Sequence, residues 1–323
     1  SRGLGDVYKR QSHDSYSGDL TYLDPLASKD GVSIYENNRY LPIGFAAESS
    51  ISEYKGESFI QFDNQNELFR LATGIEEDVL TRVDIKDVGH KGLNVIKSGY
   101  GNYSYQYSAP DDGSEDCYLK FNYTVPDDGP LYVTFDFGEI KNVRIKVGDS
   151  VMRTHSSGKY MDIFAAGDFN AGDVVSFQAD AKDQKNGSGT IYVYQINSDV
   201  FERGYRKLLK GALNVTKYDD TIIKGNIIAE DDCLMYTSIP YDGGWKAYVD
   251  GKETEVQSIK NAFVCVPMSA GEHTVELRYC PPGFVVGAVI SILSVATLVL
   301  LWIFVPKVKK KRFMSGEGTA ENK

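Results

Sequence analysis

SIPYDGGWKAYVDGK, residues 238–252, carries one of the chain's two tryptophans between a glycine pair and an Asp-Gly pair. Trp245, Ala247 and Val249 alternate with Lys246, Tyr248 and Asp250, so the two sets point to opposite faces of a strand. Ala247 and Val249 mark the buried face, and Trp245 shares it. Asp250 and Gly251 fit a two-residue type I′ hairpin, whose central positions both need φ above zero. Gly243 and Gly244 let the chain bend sharply into the strand. The stretch reads as a β-hairpin. Two roles stay open for Trp245: an anchor in the core, or a platform on which a sugar ring or a lipid headgroup stacks.

Strand patterns continue on both sides. TIIKGNIIA, CLMYTSIP, AFVCVPM and EHTVELRY complete a second β-module over residues 213–283. In the last of these His273, Val275, Leu277 and Tyr279 face one way and Thr274, Glu276 and Arg278 the other, as in a half-buried antiparallel strand. Upstream, residues 100–198 hold SYQYS, YLKFNYTV, LYVTFDF, VRIKVGD, VVSFQAD and TIYVYQI, separated by DDGSED, PDDGP, NAGD and KNGSG. β-Branched and aromatic runs between such turn signals predict a sandwich or jelly roll. A linking helix is expected over 199–212, where Phe201, Tyr205, Leu208, Leu209 and Ala212 recur at helical spacing and Asp199 with Glu202 resembles a capping box. Residues 12–99 form a mixed α/β segment. Within it, 63–74 reads as a helix capped by Asp63 or Asn64 and closed by Gly74.

Residues 284–305, FVVGAVISILSVATLVLLWIFV, are 22 in number and uncharged. At about 1.5 Å per residue such a helix crosses a hydrocarbon core of about 30 Å. Pro306 and then Lys307, Lys309, Lys310, Lys311 and Arg312 follow, a positive-inside flank. The expected topology places the C-terminal tail, 306–323, in the cytoplasm and everything before the span outside. A large external region needs a signal peptide or an earlier span to cross the bilayer. The start, SRGLGDVYKRQ, has neither an initiator Met nor an apolar core. An upstream segment is therefore expected, and residues 1–11 resemble an adaptor-derived leader.

Charge removes one class of partner. The tail 307–323 carries six basic and two acidic residues, or +4, so the rest of a chain whose net charge is −10 carries −14. That surface repels phosphate backbones, and no nucleic-acid partner is expected. Cys117, Cys233, Cys265 and Cys280 form no CxxC and read as small buried thiols. The four histidines are isolated in sequence, so neither a metal site nor a cofactor is expected. The acidic run 111–116 lacks EF-hand spacing.

The opening stretch, the turn SAGEH, the strand TVELRY and then PPGFVVGAVIS together resemble the C-terminal end of the YfhO-type bacterial membrane proteins, multi-spanning relatives of the GT-C glycosyltransferases. The matching positions are Ser238, Pro240, Tyr241, Gly244, Trp245, Asp250, Gly251, Lys252, Gly271, His273, Tyr279 and Gly287. Tyr35, Glu36, Asn37, Leu41, Pro42, Gln65, Asn66 and Gly74 look like that family's external region. The resemblance implies a parent that takes a sugar from a polyprenyl-phosphate donor and passes it to a cell-envelope polymer such as a teichoic acid. It also implies a catalytic carboxylate in an early external loop among N-terminal spans, none of which lies in this chain. No catalytic residue is therefore assigned here. The expected partners are the lipid bilayer, the upstream spans, the polyprenyl-phosphate sugar and the polymer. Tyr241, Trp245 and Tyr248 are the candidate contacts to the acceptor, and Gly244, Asp250, Gly251, Gly271 and His273 the motif residues that shape their support.

The fold expected is thus mostly β: two sandwich-like extracytoplasmic modules, a few short helices and one C-terminal transmembrane helix. Two other functions fit the same features. One is a singly anchored, non-enzymatic surface module that binds glycan or protein. The other is a structural lid over a transmembrane bundle.

Overall fold

The computed structural model describes residues 9–12, 23–29, 32–97, 104–108, 117–137, 140, 142–156, 163–181 and 186–314. The acidic run 111–116 lies outside them.

The first module is a sandwich of two antiparallel sheets. One sheet runs in the order Phe164–Phe169, Gly129–Asp136, Asn186–Ile196, Ser104–Ser108, Asn94–Lys97, with Leu80–Val83 also paired to Asn186–Ile196. The other runs Ser150–Ser156, Asn142–Val147, Val174–Asp180, Tyr118–Thr124, Ile85–Lys91. Alternation decides which side chains fill the space between them. In Tyr118–Thr124 Leu119, Phe121 and Tyr123 are fully buried, while the residues between are half-buried. Phe121 packs edge-on against Tyr105 at 5.3 Å between ring centroids and lies 5.6 Å from Phe137.

The second module also pairs two sheets. The five-stranded sheet runs Asn214–Tyr218, Ile222–Ala229, Gly271–Tyr279, Trp245–Val249, Lys252–Thr254. The four-stranded sheet runs Gln257–Ile259, Phe263–Met268, Cys233–Pro240, Gly44–Glu48. Ile223, Ile227, Ala247, Val275 and Leu277 from one meet Met235, Ile239, Val264 and Val266 from the other. The outer face of the four-stranded sheet, with Ala47, Leu234 and Cys265, is covered by helices α1 (Gln61–Thr73) and α2 (Ser198–Lys210) and by the short 3-10 turn Ser49–Glu53. Phe62 of α1 stacks on Tyr194 of the sandwich at 4.1 Å, which ties the two modules together.

The segment expected as one mixed unit at 12–99 is divided. Gly44–Glu48 and α1 join the second module, whereas Leu80–Val83, Ile85–Lys91 and Asn94–Lys97 join the sandwich. Lys9–Ser12, at the edge of the expected leader, pairs with Val32–Asn37, which pairs in turn with Leu23–Lys29. Each inter-strand partner is chosen by a face to bury, and that choice is non-local.

Both helix starts differ from expectation. The α1 N-cap is Ile60, because Asp63 and Asn64 bond back to Ser58 instead of to the helix. Gly74 closes α1 as expected, at φ 67° with its N–H on the Arg70 carbonyl. Asn197 caps α2 through the Val200 N–H, since Asp199 pairs with Arg203 and Glu202 with Arg39. Cys117, Cys233 and Cys265 are buried, whereas Cys280, against expectation, is exposed. Burial pushes the Cys233 and Cys265 thiols up to about 11.

Helix α3 (Phe284–Met314) runs on beyond the expected end of the span at Val305. The lysines and arginine after Pro306 are good helix formers, so the basic flank extends the helix. No part of the apolar stretch Phe284–Phe304 is buried in the protein, and Trp302 is 77% exposed. A core helix would hide such a surface, whereas a helix in lipid displays it.

Candidate functional site

The site grows from the turn at residues 242–244. Asp242 Oδ1 accepts the Gly244 N–H at 2.7 Å, and its other oxygen accepts the Tyr279 hydroxyl at 3.0 Å. The Gly244 carbonyl accepts the Cys280 N–H at 3.0 Å. Gly244 has to be glycine, because a Cβ there would fall on the Cys280 carbonyl oxygen and stand 2.8 Å from the Tyr279 ring. Gly243 has open space around it. Only the second glycine of the pair is therefore required by packing.

Trp245 follows, opposite Tyr279 in the ladder, with ring centroids 4.9 Å apart. It lies on the same face as Ala247 and Val249, as the alternation predicts, and is half-buried against the core. Beside it a groove of about 260 Å³ is bordered by Tyr241, Asp242, Trp245, Lys246, Glu253 and Glu255. Tyr241 is 37% exposed there. Lys246 pairs with Glu253 at 2.8 Å. The groove thus offers two aromatic groups and several carboxylate acceptors. It lies close to the start of α3, since Cys280 stands just before Pro281, Pro282 and Gly283.

Tyr248 does not join this groove. It is on the other face of the strand, under the Arg278 guanidinium, which sits 4.6 Å from its ring centroid. Arg278 also pairs with Glu276 at 2.7 Å, and Glu276 with Lys224 at 3.1 Å. The hydrogen bond from Arg278 and then that from Lys224 hold the Glu276 carboxyl at about 2. Tyr248 is therefore part of a charged ladder, separate from Trp245.

Asp250, Gly251, Gly271 and His273 occupy the distal end of the hairpin. Asp250 and Gly251 have φ of 52° and 77°, as the type I′ turn requires. Gly271 has φ of 138°. The Asp250 carboxylate accepts from His273 Nδ1 at 2.7 Å and from the Thr274 N–H at 2.9 Å. His273 Nε2 faces the Ser269 carbonyl at 3.0 Å. Both ring nitrogens meet acceptors, so the imidazolium satisfies both. The hydrogen bond to Asp250 raises His273 above its ordinary 6.5, and the bond from His273 lowers Asp250 below its ordinary 3.8. The pair therefore stabilises the hairpin fully below 6.5 on the histidine side, and loses that contribution as pH rises through the folded value. On the aspartate side it is present above 3.8 and lost as pH falls through the folded value. We expect the thermal midpoint of the native chain, compared with His273→Gln, to show its largest excess between about pH 4 and 6.5. An excess independent of pH would contradict the pairing.

Sequence reasoning assigned no site role to Asp242 and treated Tyr279 as a motif position. The signal for Asp242 was its place two residues before the required glycine, an Asx-turn spacing. Tyr279 is 37 positions from Asp242, and only strand register brings the two together.

These features define a β-rich protein carried on an apolar helix long enough to cross a bilayer. The chain belongs to the family described as bacterial membrane protein YfhO, whose model matches residues 6–291. It is 32% identical over 83 residues to the uncharacterized protein YfhO of Bacillus subtilis (strain 168). That match covers 26% of this chain and 9% of the relative, so the matched segment is a small part of that protein. Likeness to solved structures is weak. A mutant carbohydrate binding module of family 29 aligns at TM-score 0.24 and 16% identity, over 35% of this chain and 86% of that one. A GH2 beta-galacturonidase from Eisenbergiella tayi aligns at 0.23 and 10% identity, over 62% of this chain and 38% of that one.

Proposed function

We propose that this chain is the extracytoplasmic C-terminal region of a membrane glycosyltransferase, itself non-catalytic, and that it holds the acceptor polymer at the outer membrane surface. The observation that carries the reading is the groove between Tyr241 and Trp245, tied through Gly244 to the chain just before α3. Aromatic faces cover the apolar face of a sugar ring, and the carboxylates of Asp242, Glu253 and Glu255 accept hydrogen bonds from its hydroxyls. The sugar comes from a polyprenyl-phosphate donor handled by the upstream spans, and the acceptor is a cell-envelope polymer. The basic flank after residue 305 keeps the C-terminus in the cytoplasm. Tyr248, facing away under Arg278, is left out of the contact.

Tryptophan emission tests the contact. Trp302→Phe leaves Trp245 as the single tryptophan of the chain. Titrating this variant, held in lipid nanodiscs, with purified wall polymer should shift and saturate the Trp245 emission. A spectrum indifferent to polymer, in protein with native circular dichroism, would remove Trp245 from the acceptor site.

A further inference from the structure

Two largely apolar hollows adjoin where the helices, the four-stranded sheet and, at Tyr132 and Ile196, the sandwich meet, away from the groove and its proposed role. The first, about 360 Å³, is lined chiefly by Phe45, Leu68, Phe69, Phe201, Leu208 and Tyr236. The second, about 410 Å³, shares Phe45, Phe69, Phe201 and Leu208 with it. The four shared side chains place the two compartments side by side. No charged side chain lines the first compartment. The second has Arg39 at its border, and the Arg39 Nε donates to Glu202 at 2.6 Å, so its charge is met.

The space does not come from loosely held helices. Gly204 of α2 is in such close contact with the Phe69 ring of α1 that a Cβ would collide with it. Both hollows open to solvent, and an apolar surface of this size left in contact with water marks a binding site. The charge-free lining calls for an equally charge-free occupant.

Direction narrows the occupant. The second compartment is bordered by Pro42 and Ser238. Ser238 lies near the end of the Cys233–Pro240 strand that leads to Tyr241 and the turn bonded to Cys280. At about 3.3 Å per residue, Ser238 is no more than about 13 Å of chain from Asp242. The first compartment, with Tyr236, lies further from α3 along the same strand. The line from the second compartment to the first therefore leads away from the α3 end.

We infer that this space takes up one acyl chain of a phospholipid from the bilayer that α3 crosses. The chain enters past Pro42 and Ser238, its methyl end reaches Phe45 and Tyr236, and its head stays at the Arg39–Glu202 pair. The inference rests on membrane anchoring by α3 and is independent of any sugar contact.

Photolabelling decides it. The full chain is placed in nanodiscs of phosphatidylglycerol carrying a diazirine near the end of one acyl chain, irradiated, digested and mapped by mass spectrometry. Label is expected on the peptides of α1 and α2 as well as on α3, which serves as the internal control. Ala72→Phe and Leu68→Trp fill the first compartment. Each should cut label on α1 and α2 by about tenfold, the equivalent of a modest overpacking penalty, while α3 label stays unchanged. Circular dichroism checks that each variant folds, and the native labelling pattern stands if one does not. Label confined to α3 would overturn the inference. So would label on α1 and α2 that appears only when a diazirine-bearing isoprenol replaces the labelled phospholipid.

Discussion

Gly244→Ala is expected to destabilise the second module by about 1–3 kcal/mol, the usual cost of forcing a methyl group into a packed site. The added Cβ meets the backbone carbonyl of Cys280, which cannot turn aside as a flexible side chain would. Relief requires the 242–244 turn to move away from the last residues before α3. That movement breaks the 3.0 Å bond between the Cys280 N–H and the Gly244 carbonyl and shifts Tyr279 off Trp245. Acceptor binding should fall together with stability. Gly243→Ala is the control: nothing lies within 4 Å of where its methyl group would stand, so its effect should stay within about 0.5 kcal/mol. Urea unfolding of the two variants in parallel checks the contrast. Equal effects at both positions would show that the turn is not held against Cys280.

Phe121→Ala is expected to cost about 3–5 kcal/mol. Its ring is fully buried at the centre of the sandwich, against Tyr105 and Phe137. Those neighbours belong to the opposite sheet and to the loop after Gly129–Asp136, so they cannot close the gap together. A typical domain has only about 5–15 kcal/mol to lose, so the variant should unfold at markedly lower urea. Phe121→Leu, which keeps most of the volume, should recover much of the loss. Because Phe121 is remote from Tyr241 and Trp245, any folded fraction should still bind acceptor.

What the sequence conveyed depended on how local each signal was. The hairpin from Trp245 to Thr254 was legible because alternation and the Asp250-Gly251 pair are contiguous. Tyr118–Thr124 was legible for the same reason. The edge strands Ser150–Ser156 and Phe164–Phe169 were not: their residues, as in VMRTHS and FAAGDF, neither alternate cleanly nor bury one face. The division of residues 12–99 between two modules depends on which sheet offers each strand a partner, and no short window carries that. Alternation had already set Tyr248 opposite Trp245, and the structure keeps them apart. The Asp242–Tyr279–Trp245 cluster needed the register of Gly271–Tyr279 against Trp245–Val249, which two distant strands determine together.

The proposed positioning of an acceptor by Trp245 and Tyr241 is open to a kinetic test on the proposed parent protein. Sugar transfer is followed in membrane vesicles, from a polyprenyl-phosphate donor to purified envelope polymer. Trp245→Leu keeps an apolar body over Ala247 and removes the indole face. Trp245→Leu and Tyr241→Ala should each raise the acceptor KM by about tenfold or more, as loss of an aromatic hot spot does, with kcat little changed. An unchanged acceptor KM in correctly folded variants would mean that these two side chains do not hold the polymer.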